Sequence, residues 1–447
     1  MSIELRIAHL SDSHFRQKGF EEIKRCHNAF LAELLIDGPP DLIVHTGDVF
    51  DDRNIRGGSE AAIYAAGFFR SLSHIAPTIV LRGTPSHDGR TPELLPYCRS
   101  EYPLEVVDYP VQYLLGAHGS LVPLSELKEY DGSETWLALI SALPAPTKEH
   151  FYDQAAGIAE SDQDIGQKLE MVFEAYGKIA LEMGLPHIVL GHWNTSGAFI
   201  TGSERLTGVD IEVGADQVLK AQPTIVCLGH IHKAQTIRDR IFYAGSMQPL
   251  TWGELDQKGW WMHTITDRPE YDPTALADTV VRMEREYSPH YYHVESDFIE
   301  TPVNRRIRLK LDFTEEGRDI RDVDWPREFE AATQGAPQPL EGMYNKAIVR
   351  IDIKLYQDEV ARIDEEAIFG YLNSEGVEDV QINLQRVPRA AVRSARIIEV
   401  TRLREKLTER ARILEEPISD EILDKADQLD DGLVFPDNVV GLAKGGQ

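Results

Sequence analysis

Cysteine is scarce in this chain: Cys26, Cys98 and Cys227 lie far apart with no Cys-x-x-Cys spacing, which suggests neither a disulfide framework nor a thiolate zinc site. Long apolar runs are missing too. No stretch is long enough to span a bilayer, and the segment from Met1 through Glu4 and Arg6 carries no basic and apolar leader, so the expectation is a soluble protein of a reducing cytoplasm, with no membrane partner. Internal repeats and low-complexity tracts are also lacking, and the periodic segments read as ordinary globular elements. Positive charge is in deficit, with 46 Lys and Arg against 74 Asp and Glu and a net charge of -28. That balance argues against a surface that grips nucleic acid by neutralising phosphates. Divalent cations held by carboxylates and imidazoles would nevertheless invert the field locally.

What is present is an alternation of short β-branched runs and helical patterns over 447 residues, enough for two or three units. Ile3 to Leu10, Asp41 to Thr46, Thr78 to Leu81, Trp136 to Ser141, His187 to Leu190, Thr224 to Leu228 and Ile241 to Ala244 read as buried strands. Phe20 to Ile36, Ser59 to Leu72 and Asp164 to Met183 read as helices, the first ending at Gly38-Pro39-Pro40. The fold class is α/β, with helices covering the sheets. A first domain is expected over 1–275, a small α+β domain over 276–389, a helical segment over 390–431 and a loose tail over 432–447. In the helical segment Val400, Leu403, Leu407 and Leu414 share one face. That stripe fits a helix-in-groove contact with a partner and equally fits packing on the chain's own core.

Four short blocks carry chemistry. Asp12-Ser13-His14 follows the first strand, Gly47-Asp48 the second, Gly191-His192 a later one, and Gly229-His230-Ile231-His232 another. Singly each is weak, since Asp-x-His and Gly-Asp are common turn sequences. Jointly they are informative, because each lies at the C-terminal end of a predicted strand, where open α/β sheets bind ligands. Mixed His and Asp donors suit Mn²⁺, Zn²⁺ or Fe²⁺ better than Mg²⁺ or Ca²⁺, and so many donors call for two ions.

The order Asp-x-His, Gly-Asp, Gly-His, Gly-His-x-His resembles the calcineurin-like metallophosphoesterases. The resemblance implies a β-sandwich flanked by helices, with Asp48 bridging two metals. It places Asp12, His14 and His232 at one metal and His192 and His230 at the other. That family carries a further Gly-Asn-His-Asp/Glu block, its Asn a ligand and its His facing the substrate. Here the stretch is Gly83-Thr84-Pro85-Ser86-His87-Asp88: two residues are added, Ser86 stands where Asn would be, and His87 and Asp88 keep the acid-base pair. Thr-Pro-Ser as a plain turn, with His87 a loop residue, is the competing reading.

Further blocks are similar to the SbcD-type DNA repair nucleases: Gly47 to Asp51, Gly202-Ser203-Glu204-Arg205, Tyr243 to Met247, Trp252-Gly253-Glu254 and Lys258-Gly259. That resemblance implies a manganese-dependent DNA exo- and endonuclease using a metal-activated water, a small DNA-capping domain, and C-terminal helices that bind a coiled-coil ATPase, SbcC. A homodimer of nuclease chains is also implied. Two other functions fit the residues: hydrolysis of a small phosphorylated molecule, and a non-catalytic scaffold for the ATPase, which the missing Asn would permit.

Overall fold

The computed structural model describes residues 4–127, 135–146, 162–199, 211–254, 256–267, 292–314, 320, 323–333, 346–389, 401–414 and 417–432. The chain divides into two compact units, 1–307 with 346–348, and 308–345 with 349–447.

In the first unit the strands are β1 (Glu4–Leu10), β2 (Leu42–His45), β3 (Thr78–Leu81), β4 (Leu104–Val107), β5 (Val111–Gly116), β6 (Leu121–Pro123), β7 (Trp136–Leu143), β8 (His187–His192), β9 (Asn194–Thr195), β10 (Glu212–Val213), β11 (Ile225–Gly229), β12 (Gln235–Ile237), β13 (Ile241–Tyr243), β14 (Gly259–Asp267) and β15 (Tyr292–Glu300). Six of them form a sheet in the order β15-β14-β1-β2-β3-β4, and seven form a second in the order β12-β13-β11-β8-β7-β5-β6. The strands β1 to β4 run parallel, as do β7, β8, β11 and β13.

Alternation along each strand separates the layers. Leu5 and Ile7 of β1 join Val44 and Ile79 in a core shared with Ile140, Ile188 and Ile225 of the other sheet, so the two sheets face each other as a sandwich. Ala8 and Leu10 point the other way, onto α1 (Phe20–Ile36) and α2 (Glu60–Ile75) through Phe30, Phe68 and Phe69. The second sheet's outer face packs Val189 and Val226 against Leu169 and Phe173 of α3 (Asp162–Met183) and Val218 of α4 (Ala215–Leu219). This helix–sheet–sheet–helix layering is the expected α/β sandwich. Ser59 caps α2 by accepting the Ala62 N–H.

The first unit runs past the expected boundary at residue 275, because β15 pairs with β14 along its full length from Asp267↔Tyr292 to Gly259↔Glu300. The sequence hides β15 because it is a half-exposed edge strand, whose polar residues break any apolar run.

The second unit holds most of a three-stranded sheet of β16 (Arg306–Asp312), β17 (Ile348–Tyr356) and β18 (Asp379–Val387), order β16-β17-β18. Its buried residues include Leu309, Leu311, Ile351, Ile353, Phe329 of α5 (Trp325–Thr333), and Ile368 and Leu372 of α6 (Glu365–Ser374). The α+β character expected from sequence is present. Helix α7 (Leu403–Leu414) is tied to α8 (Asp420–Gly432): Arg404 pairs with Asp424 and Asp427, and the Leu403 N–H donates to Asp430. Leu403 and Leu407 are half-buried. Val400, the Leu414 side chain, the Gly202 to Arg205 block and the tail beyond Gly432 lie outside the described residues.

Candidate metal centre

Parallel strands deliver the sequence-predicted residues to one edge. Asp12 and His14 follow β1, Asp48 follows β2, His192 ends β8, and His230 and His232 follow β11. They gather into two clusters, each drawn from both sheets: Asp12, His14 and His232 in one, Asp48, His192 and His230 in the other, with donor atoms of each cluster within 4.8 Å of one another.

Holding them there strains the backbone. Asp12, His14, Asp48 and His230 all have left-handed φ, at 48°, 42°, 53° and 88°. For non-glycine residues this costs on the order of 1–3 kcal/mol each and persists only where surroundings enforce it. The enforcing contacts are backbone bonds between the two loops: Asp12 N–H to Gly47 O (3.0 Å), His14 N–H to Asp48 O (3.1 Å) and Phe15 N–H to Val49 O (2.8 Å). Glycine is needed where the loops touch. A Cβ on Gly47, itself at φ 105°, would lie 2.3 Å from His192 Nδ1, and one on Gly83 would lie 2.1 Å from Asp48 Oδ1.

Asp48 stands between the clusters. Its Oδ2 is 3.9 Å from His14 Nε2 and 3.3 Å from His192 Nε2. His192 donates Nδ1–H to the Thr46 carbonyl at 2.6 Å, which fixes its tautomer and turns Nε2 toward Asp48. His14 Nε2 also lies 4.0 Å from Asp12 Oδ1. Both Nε2 atoms are buried without a hydrogen-bond partner. Buried nitrogens facing carboxylate oxygens at 3.3–4.0 Å are what cations shared between them would satisfy, so the donor set fits the divalent metals that this class of site uses.

The electrostatics agree. Burial lowers the His14 pKa to about 4, so its ring is a neutral donor at pH 7. Burial also acts to lower that of His192, but Asp48, Asp12 and the Thr46 carbonyl outweigh it and raise the value to about 9. Asp12 is raised to about 6 by burial against the pull of His192 and His232.

Surrounding groups orient the donors. Asp51 lies 3.3 Å from His14 Nδ1 and 3.0 Å from the Arg16 guanidinium. Glu254 sits 3.5 Å from His232 Nδ1, accepts from Lys258 Nζ at 2.7 Å, and takes the N–H groups of Leu250 and Thr251. Lys258 also donates to the His232 carbonyl at 2.8 Å. The Trp252-Gly253-Glu254 and Lys258-Gly259 blocks thus grip the last His-x-His from behind.

Two expectations for the Gly83 to Asp88 stretch change. Ser86 is exposed and engages Arg53 through its carbonyl. The side chain that reaches the centre is Thr84, whose N–H and hydroxyl donate to Asp48 Oδ1 at 2.6 and 2.8 Å. Counting back from His87 pointed to Ser86; the inserted Pro85-Ser86 instead forms a tight turn, with the His87 and Asp88 N–H groups on the Thr84 carbonyl. Asp88 does not hold the His87 ring. Its two oxygens accept the N–H of Phe50 (3.0 Å) and of Gly83 (2.7 Å), so it fastens the loop. His87 itself is placed beside the centre, its ring 4.7 Å from that of His14, with Nδ1 donating to the Asp51 carbonyl at 3.0 Å.

A family profile described as calcineurin-like phosphoesterase matches residues 5–234, just over half of the chain. The SbcD component of the SbcCD nuclease of Rhodobacter capsulatus is 28% identical over 275 residues, covering 56% of this chain and 64% of that protein. The SbcD component of the SbcCD nuclease of Escherichia coli K12 is 25% identical over 299 residues, covering 59% of this chain and 65% of that protein. The matches therefore span just under two thirds of the relatives' own length.

Proposed function

The chain belongs to the calcineurin-like phosphoesterases, and from that premise we propose that it is a two-metal DNA exo/endonuclease, the nuclease component of an SbcCD-like complex for double-strand-break repair or recombination. Metal-dependent phosphoester hydrolysis is the chemistry of the family. The observation that carries the reading here is one carboxylate, Asp48, within 4 Å of a histidine from each cluster. Asp12, His14 and His232 would hold one ion, His192 and His230 the other, and Asp48 both; this mixture of donors admits Mn²⁺, Zn²⁺ or Fe²⁺, and Mn²⁺ is the one that the SbcD-type resemblance implies. Bound cations supply Lewis acidity and a water of lowered pKa for in-line attack at phosphorus.

The chain's own groups do the rest. With Nδ1–H committed to the Asp51 carbonyl, His87 keeps Nε2 free to take up a proton from solvent and, once protonated, to pass it to the leaving oxygen. Ser86 is not required for this reading, because the Thr84 hydroxyl supplies a neutral oxygen at the bridging carboxylate. That favours an active centre over a scaffold. DNA as the substrate and an SbcC-like ATPase as the partner are supported by the named relatives, both components of SbcCD nucleases. A dimer of nuclease chains and a partner contact through Val400, Leu403, Leu407 and Leu414 belong to the same proposal.

The net charge of -28 favours the alternative of a small phosphorylated substrate, and one experiment separates them. End-labelled duplex DNA and a simple aryl phosphodiester are offered to wild type and His87→Ala in Mn²⁺, with and without chelator and an SbcC-type ATPase. The nuclease reading expects DNA cleavage that chelation and the substitution both abolish. Turnover of the small ester with intact DNA in every condition would replace it by the small-molecule reading; inertness to both would leave the scaffold.

A further inference from the structure

Three polar side chains interrupt the apolar interior of the sandwich just beneath the metal-binding edge. His9 on β1, Cys227 on β11 and His263 on β14 are each at 0% exposure. Their ligand atoms, one from each residue, lie within 4.8 Å of one another. The strand pattern puts them there. His9 continues the inward series of Leu5 and Ile7, and His263 pairs with Ile7, so the two rings are diagonal neighbours on the inner face of one sheet. Cys227 comes from the facing sheet.

The outer nitrogen of each ring is anchored by a hydroxyl: His9 Nε2 lies 3.1 Å from Thr46 Oγ1, and His263 Nδ1 lies 2.8 Å from Ser296 Oγ. The inner nitrogens, His9 Nδ1 and His263 Nε2, are 3.3 Å apart. If each ring donates its outer N–H to its hydroxyl, two lone pairs face each other. Two nitrogens at about 2.0–2.1 Å from a tetrahedral zinc ion are themselves about 3.3–3.4 Å apart, which is the spacing found. A shared proton would suit that spacing as well, but it gives no role to the thiol, which lies within 4.8 Å of a ring nitrogen of each histidine. Anchoring of the outer nitrogen by a polar neighbour is the arrangement in which metal-bound histidines are held. Burial keeps both rings neutral and ready to coordinate.

We propose that His9, Cys227 and His263 form a further metal site, a buried His₂Cys site for a thiolate-accepting transition ion of the zinc class, that staples the two sheets beneath the catalytic edge. Coordination converts the Cys227 thiol to thiolate and releases its proton to solvent. The site is closed, so the ion enters as the chain folds. Its effect is on the centre above: His9 lies three residues before Asp12, and Cys227 three before His230. One cysteine and two histidines from three distant strands leave no spacing signature, so the sequence could not reveal it.

The test is independent of the nuclease reading. The full chain is produced in cobalt-supplemented medium, and its near-ultraviolet spectrum is read for thiolate-to-cobalt charge transfer. The catalytic clusters offer only nitrogen and oxygen, so they cannot produce that band. The expected result is a band in wild type and in Cys98→Ser, its loss in Cys227→Ala, and cobalt content one lower in Cys227→Ala. X-ray absorption of the wild-type zinc form, which needs no variant, should show a sulfur scatterer at about 2.3 Å. A wild type whose catalytic clusters fill with cobalt but that shows neither band nor sulfur scatterer overturns the proposal, as does a band that survives in Cys227→Ala.

Discussion

Replacing Lys258 by Met tests how the His-x-His loop is held. Lys258 and Glu254 are 1% and 2% exposed, and the ammonium bridges the Glu254 carboxylate and the His232 carbonyl. Methionine keeps most of the volume and removes the charge, leaving a buried carboxylate whose remaining partners among the described residues are the Leu250 and Thr251 N–H groups and the His232 ring. Breaking one side of a buried pair costs about 3–5 kcal/mol. That is a large share of the total stability of an ordinary domain, about 5–15 kcal/mol.

The pH dependence carries the sign. Burial alone would raise the Glu254 pKa, but His232 and Lys258 outweigh it and hold it far below the ordinary carboxylate range. A depressed carboxylate contributes stability that is present above its unfolded pKa and fades as pH falls through the folded value. In Lys258→Met the opposing charge is gone and burial pushes the value up, so the variant recovers as the carboxyl protonates in acid. Urea unfolding in chelator at pH 7 and pH 5 should therefore show a deficit of about 3–5 kcal/mol that narrows at the lower pH. A deficit below about 1 kcal/mol at pH 7, or one that does not change with pH, would refute the reasoning, since surface-like pairs contribute only about that much.

Thr84→Val keeps the shape of the side chain and removes the hydroxyl from Asp48; loss of such a neighbour weakens metal binding by roughly 10–100-fold, while Thr84→Ser should restore most of it. Calorimetric titration with Mn²⁺ reads this directly, and an unchanged affinity in Thr84→Val would return the role to another group. Metal affinity should also rise with pH, by up to about tenfold per unit between pH 7 and 9, because a cation must displace the His192 proton, whose pKa is about 9 in the metal-free protein. The sign follows from a raised histidine: its charged form stabilises the metal-free fold below the unfolded pKa, and that contribution is lost as pH rises through about 9. A flat affinity over that range would show that His192 is already neutral.

The six residues that converge in the two clusters were legible because each is a His or Asp at, or a few residues beyond, the end of a short apolar strand, and parallel strands leave their C-terminal ends together. Phe20 to Ile36 was readable as a helix for a similar local reason, its apolar period closing at a Gly-Pro-Pro breaker. What escaped is non-local. Thr84 reaches Asp48 only because Pro85-Ser86 folds into a turn, a fact about the loop's path that residue counting cannot supply. Asp88 looked like a partner for the adjacent His87, yet its oxygens go to Phe50 and Gly83, a choice fixed by where β2 and β3 end. The edge strand β15 alternates half-buried and exposed residues, so its membership in the sheet rests on β14 alone.

The strained Asp12-Ser13-His14 turn requires a further support, and Ser13 supplies it. His27 Nδ1 lies 2.7 Å from the Ile23 carbonyl, which can only accept, so His27 carries its proton there and Nε2 accepts from the Ser13 hydroxyl at 2.9 Å. The same hydroxyl oxygen then accepts from His45 Nε2 at 2.8 Å, leaving His45 Nδ1 to accept the Gly47 N–H at 3.3 Å. One direction of protons satisfies every member, and it joins the two loops that carry Asp12, His14 and Asp48. The chain works only with both rings neutral, and burial lowers the His27 pKa to about 4. A histidine depressed in this way stabilises the fold fully above its unfolded pKa of about 6.5 and loses that contribution as pH falls toward the folded value; at pH 5 the loss is about 2 kcal/mol for His27. His27→Gln, which can still bridge a carbonyl and a hydroxyl, should be less stable than wild type at pH 7 and should lose less between pH 7 and pH 5. Equal acid sensitivity of the two proteins would place the strain-bearing contacts elsewhere than in this chain of bonds.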